Sequence, residues 1–379
     1  MQVNPILYTQ IFFASLMLIN YIFWAMGIQS QPLAAFILLL LVISSIFLLV
    51  KINNKNITIF FIAMLVASLG VPCWQWDAQT IWLFHAKRIF FDMDLYSQLD
   101  GYDYCCMNDY PNMVPSLSAS IAKSFNIWNE IIPKLSSIFF IFIPVIILTN
   151  KFKYNVTKTI FLIMLLFFGK KFLINGYIDA LLAINFVSLL VLLERKDRNN
   201  SNIILGVITA CLIVLMKNEG MLLYLISIIA LLLSSKWEKK LILLSMPFLI
   251  YFATWKYQVD QTDIHNFMNI GFHSIDTLIN RLTNKEIFII LKSILLQLSP
   301  YLILWVGVAA ITNIRISFNP LNLLFLSFIG YFSALTLIYL VTPVDLTTHI
   351  GQSIDRITMP LQLILIISLL INFEKKLRF

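Results

Sequence analysis

"LAAFILLLLVISSIFLLV", Leu33–Val50, runs into "KINNK", Lys51–Lys55, and after one residue into "ITIFFIAMLVASLGVPC", Ile57–Cys73. Two apolar runs, each near the roughly 20 residues that cross a bilayer, are separated by a short link holding two lysines. That is the pattern of a helix that crosses a membrane, turns in water and crosses back. The rest of the chain repeats it. Of 379 residues, 60% are hydrophobic and 12% charged, and the mean hydropathy is +0.86, which leaves too little polar surface for a water-soluble globule.

Apolar segments fall at about 6–27, 33–50, 57–73, 131–149, 156–168, 177–193, 203–216, 221–235, 241–255, 287–311, 321–341 and 357–372. They predict an all-α polytopic membrane protein of about 12 transmembrane helices, with interfacial helices in the loops. Segments 156–168 and 203–216 are short for the full hydrocarbon thickness. The first run lacks a basic stretch before it and a small-residue cleavage site after it, so it reads as a retained helix. No linker, heptad run or internal repeat divides the chain, and residues 1–379 are expected to form a single integral domain.

Under this count the links near 51–55, 151–158, 194–202, 234–240 and 313–317, with the tail 374–379, share one side and carry 15 of the 27 Lys and Arg. The positive-inside rule makes that side cytoplasmic, together with both termini. The other side receives 15 of the 19 acids and all four histidines: the histidines and 13 of these acids lie in loops at about 74–130, 256–286 and 342–356, and Asp179 and Glu219 at the outer ends of spans. Chemistry is therefore expected on the outer face. Cys73, Cys105 and Cys106 also lie there, and an oxidising compartment would allow Cys73 to pair with one of the other two.

The large loop opens with "CWQWDAQTIWLFHAKRIFFDMD", Cys73–Asp94. Ala78–Phe91 reads as an interfacial helix, with His85, Lys87 and Arg88 supplying charge and Trp74, Trp76 and Trp82 at headgroup depth. Asp77 is either the N-cap of that helix or a carboxylate held at the surface as a base. Asp109, before "YP", carries the same two readings ahead of a second surface helix. In "GKKFLINGYIDALLAINF" Lys170 and Lys171 sit at an outer mouth, and Asp179 just inside a span is a functional candidate by default, unless Asn175 satisfies it. "LMKNEGMLLYL" offers Lys217, Asn218 and Glu219 between two apolar runs, where Lys217 suits either function or a helix C-terminal dipole. If "YLVTPVDLTTHIGQSIDRITMP" is helical after Pro343, His349, Gln352, Ser353 and Arg356 share one face. Arg356 then suits a phosphate, or it snorkels to lipid headgroups. "DMD", Asp92–Asp94, has the form of a metal-binding triplet, but such triplets arise easily by chance; no metal or cofactor is expected.

"WDAQTIWLFHAKRIF", "DYPNMVPSL", "NGYIDALLAINF", "LMKNEGMLLYL" and "YLVTPVDLTTHIGQSIDRI", in this order over about residues 70–360, resemble bacterial multi-pass glycosyltransferases of the GT-C superfamily. The resemblance is to the family-39-like group related to protein mannosyltransferases and to the aminoarabinose transferases of lipid A. It implies a transferase of the bacterial inner membrane. Such an enzyme moves a sugar, with inversion, from a polyprenyl-phosphate donor to a glycan, lipid or protein acceptor at the outer face, with an acidic residue of the first large outer loop as base. Asp77 matches that position. The chemistry needs a base for the acceptor hydroxyl and cations for the departing phosphate. Asp77 and Asp109 are thus the catalytic candidates, Arg356, Lys217, Lys170, Lys171 and His349 the phosphate ligands, and Asp179, Glu219, Tyr110 and Gln352 the substrate-positioning residues. The competing readings are a polymerase or ligase acting on lipid-linked oligosaccharides, and a flippase or transporter, which would line a midplane path with charged residues.

Overall fold

The computed structural model describes residues 4–73, 75–103, 106–194, 200–234, 239–262, 264, 273–312 and 322–376, and every regular element among them is helical. The N-terminal part comprises α1 (Pro5–Ala25), α2 (Gln31–Ile52), α3 (Lys55–Gly70), α4 (Leu83–Asp92) and α5 (Met113–Phe125). The central part follows with α6 (Ser136–Thr149), α7 (Asn155–Gly169), α8 (Asp179–Glu194), α9 (Asn200–Met216) and α10 (Asn218–Leu233). The C-terminal part holds α11 (Met246–Tyr251), α12 (Tyr257–Val259), α13 (His273–Thr283), α14 (Ile287–Thr312), α15 (Leu323–Val341), α16 (Leu346–Ile357) and α17 (Met359–Lys376).

All twelve apolar segments coincide with helix, the one at 241–255 as a run of 3₁₀, α and π turns from Lys239 to Val259. Five stretches are long and apolar enough to cross a membrane: Pro5–Ala25, Gln31–Ile52, Ile287–Val308, Leu323–Val341 and Leu346–Glu374. Five more apolar helices are shorter, among them α9 and α10 with 17 and 16 residues. At 1.5 Å per residue these reach roughly 25 Å, which is why span count does not follow from hydropathy alone. Phe36, Ile46, Val50, Ile62, Phe167, Phe288, Ile303 and Val306 point their side chains outward, an apolar exterior that suits lipid rather than water.

The polar residues sort to the two ends of the bundle. At one end Lys151 pairs with Glu194 at 3.1 Å, Glu374 accepts the backbone N–H groups of Lys153 and Tyr154, and Asn56 donates to Thr159 at 2.7 Å. Asn4 lies at this end too, bordering a crevice with Asn150 and Asn202, so the beginning of α1 and the end of α17 share it. The acids of the loops collect at the opposite end.

The large loop is more deeply folded than its amphipathic pattern predicts. The helix expected over 78–91 is present, as a π turn over Ala78–Trp82 continued by α4. Of its three basic side chains, however, His85 and Arg88 look inward, and only Lys87 is exposed. His85 is fully buried, with burial and the nearby Arg88 pushing it down to about 3, so the neutral ring donates Nε2–H to the carbonyl of Cys106 at 2.9 Å. Arg88 clamps the carbonyls of Ser97 and Leu95 at 2.6 and 2.7 Å. Trp82 is buried within the protein, Trp76 is exposed, and Trp74 lies outside the described residues. The second helix, α5, is buried from Met113 to Ala122, against α1, α2 and α4, and is no surface helix. Its serines explain why: Ser120 bonds Asn20 and Trp24 of α1, and Ser118 bonds Ser136 of α6. Small hydroxyls satisfied across helices let polar sequence pack like core. Cys73 keeps a free thiol, packed on Ala78, Leu83 and Trp128; Cys105, one of its two expected partners, lies outside the described residues.

Candidate functional site

Five stretches that are distant in sequence meet at the acidic end. Asp77 stands at the start of the π turn, and its side chain makes no capping bond. It binds Arg356 instead, so neither the capping reading of Asp77 nor the snorkelling reading of Arg356 is what the chain adopts. A π turn is a frequent mark of a functional position in a helix. Arg356 comes from the last turn of α16, an amphipathic helix capped by Asp345, which accepts from the backbone and hydroxyl of Thr348 at 2.9 Å. Leu346, Ser353 and Ile354 bury its inner face.

Asp179 opens α8, and its other oxygen sits 3.8 Å from Arg356. Its first oxygen takes Lys217 at 3.0 Å, and Lys217 reaches Glu219 at 2.9 Å. Asp179 is therefore held through one oxygen by Lys217, its other oxygen having no hydrogen-bond partner among the described residues, whereas Asn175 turns its oxygen to the backbone N–H of Tyr177. Lys217 is the one residue between α9 and α10, with an extended backbone. That turn closes only because of Gly220: a Cβ there would stand 2.0 Å from the carbonyl oxygen of Ile213. Gly176, at φ +92°, makes the bend that delivers Tyr177 and Asp179.

Aromatic rings back both cations. Arg356 lies 5.0 Å above the ring of Tyr177, and Lys217 5.5 Å from that of Tyr110, which itself stacks on Trp82 at 5.6 Å. Asp109 is drawn in from the other side. Asn218 donates to its carboxylate at 2.7 Å, and Trp255 to its carbonyl at 3.0 Å. It caps no helix. Of the remaining candidates, Gln352 lends its backbone carbonyl to Arg356 at 3.0 Å, and His349, on the same face of α16 as Arg356, stands edge-on to Tyr339, 4.9 Å away. The side chains of Lys170 and Lys171 lie outside the described residues. Asp94, from the metal-like triplet, accepts the N–H of Tyr96 at 2.7 Å.

Burial pushes the Asp109 carboxyl above the usual carboxylate range, opposed by the Asn218 bond and reinforced by the Glu219 charge. Ionised Asp109 therefore destabilises the fold, an effect absent below the unfolded value of about 3.9 and growing as pH rises above it. Asp109→Asn is expected to melt higher than wild type at pH 7 and to lose that advantage near pH 3.5. A constant difference across that range would mean that the gain has another source.

Tyr177 and Asn218, the latter named in the sequence but given no role, together with Trp255 and Arg281, carry further parts of this end. Arg281 fastens α13 to the end of α15 and the link that follows it, through the carbonyls of Tyr339 and Val344. The first two lie inside stretches already singled out, one beside an acid and one beside a lysine, and that adjacency was the available signal. Family models, curated proteins and solved structures all give no match to this chain.

Proposed function

We propose that the chain is a membrane glycosyltransferase that moves a sugar from a polyprenyl-phosphate donor, undecaprenyl phosphate in bacteria, to a glycan, lipid or protein acceptor at the outer membrane face. One observation carries the reading: Asp77, Asp179, Lys217 and Arg356, from four separate stretches, join at the bundle end opposite the basic loops. Paired cations beside carboxylates at a lipid surface suit a reaction whose leaving group is a lipid phosphate.

In this reading Asp77 takes the proton of the acceptor hydroxyl. The oxygen attacks the anomeric carbon of the sugar from the side opposite the phosphate, the carbon–oxygen bond to phosphate breaks, and polyprenyl phosphate leaves with its charge on Arg356 and Lys217. Configuration at the sugar is inverted. Tyr110 and Trp82 offer a stacked aromatic face beside Lys217 on which a sugar ring can lie.

Arg356→Lys keeps the charge but loses the planar fork that holds Asp77 and the Gln352 carbonyl together. Transfer is expected to fall by about tenfold or more. Turnover at the wild-type rate would remove Arg356 from the site. The reading as a whole is tested by incubating purified protein with a panel of polyprenyl-phosphate sugars and following release of the lipid phosphate; no release from any sugar, with hydroxyl acceptors present, sinks it.

A further inference from the structure

Among the described residues, the two cations of the site have no uncommitted charge. Arg356 is engaged by Asp77 and, at 3.8 Å, by Asp179; Lys217 is engaged by Asp179 at 3.0 Å and Glu219 at 2.9 Å. Three carboxylates thus face two cations. An arriving anion adds charge to a cluster already net negative, in surroundings where an uncompensated charge is costly. For each negative charge that comes in, one carboxylate has to give up its cation.

Exposure and tethering decide which one. The side chains of Lys217 and Asp179 are 8% and 6% exposed, and the Tyr110 ring covers Lys217 further. Those of Arg356 and Asp77 are 15% and 18% exposed, so the outer pair is the one an anion meets. Glu219 is more open still, but the cation it holds is the covered one. Arg356 also keeps its place without Asp77: Nη2 donates to the Gln352 carbonyl at 3.0 Å, and the Tyr177 ring lies beneath. Asp77 makes no capping bond that would hold it where it is.

We propose that the Asp77–Arg356 pair is a latch worked by the donor: the single negative charge of a polyprenyl phosphodiester replaces the Asp77 carboxylate on Arg356, and the freed carboxylate turns to the acceptor hydroxyl. This rests on the glycosyl-transfer reading above. While latched, the carboxylate is engaged by a guanidinium and not by an acceptor hydroxyl. Once replaced by phosphate, it becomes a base. Donor binding then precedes acceptor activation, and in the empty site water meets no competent base. A diphosphate carrier, with about two charges, would have to displace Glu219 or Asp179 as well, so the exchange selects a monophosphate carrier.

The test is equilibrium binding of a polyprenyl methyl phosphate, a phosphodiester with one negative charge, to the full-length protein in lipid nanodiscs. Asp77→Asn removes the competing charge and is expected to bind the probe about tenfold more tightly than wild type, even though it cannot act as a base. Asp355→Asn removes an exposed negative charge from the same helix without touching the counter-ion of Arg356, and is expected to stay within about twofold of wild type. If Asp77→Asn does not fold, Asp77→Ala must show the same tightening. Equal or weaker binding by the Asp77 variant, with wild-type binding intact, overturns the latch and leaves the transferase reading standing. Absence of binding by wild type and variant alike overturns both.

Discussion

Asp77→Asn is expected to lower sugar transfer by roughly 10²- to 10⁴-fold, the usual contribution of a positioned base, while the protein stays folded. Folding survives because Arg356 retains Asp179 at 3.8 Å and the Tyr177 face at 5.0 Å, so its charge is not stranded. Asparagine keeps the shape of the side chain and gives up only its charge and its capacity to take a proton. The measurement is transfer per folded molecule, with thermal stability recorded alongside. A stable Asp77→Asn protein with near-normal transfer would move the base to Asp109, which Asn218 holds at the same end of the bundle.

Gly220→Ala is expected to destabilise the protein by about 3 kcal/mol or more, since the clash is with backbone and no side chain can yield. The new Cβ would stand 2.0 Å from the Ile213 oxygen and 2.9 Å from its carbon. Relief requires α9 and α10 to part, and Lys217 moves with them. Gly351→Ala is the comparison. Its Cβ meets open space in the middle of α16, so helix propensity alone acts and the change is neutral or stabilising by up to about 1 kcal/mol. Similar melting temperatures for the two variants would refute the close packing of the hairpin.

Much of the architecture is legible in hydropathy because apolar runs and polar links differ in every segment. The helix over Ala78–Phe91 and the one after Pro343 follow from periodicity, and both are present. Periodicity tells which face of a helix is polar but not what covers it. The polar face of α4 is covered by the carbonyls of its own following loop, which accept from Arg88 and His85. Backbone acceptors leave no trace in the sequence. The same limit hides the pairing of Asp77 with Arg356, which are 279 residues apart. Each could be picked out as a charge at the edge of an apolar run, yet no local rule joins them. The burial of Trp82 is hidden for a related reason: an indole suits an interface and a stacked pocket equally well, and no local pattern shows that Tyr110 stacks on it.

The junction of α9 and α10 acts as a ruler more than as a loop. With one extended residue between two helices, every position in α10 has its direction fixed relative to α9. Each residue of an α-helix advances the direction of its side chain by about 100°. Adding or deleting a single residue beside Lys217 would therefore swing Asn218 away from Asp109 and Glu219 away from the lysine, with every apolar contact of the two helices still chemically available. In this part of the chain length is as constrained as identity, and a change that conserves every side chain is enough to disassemble the acidic end.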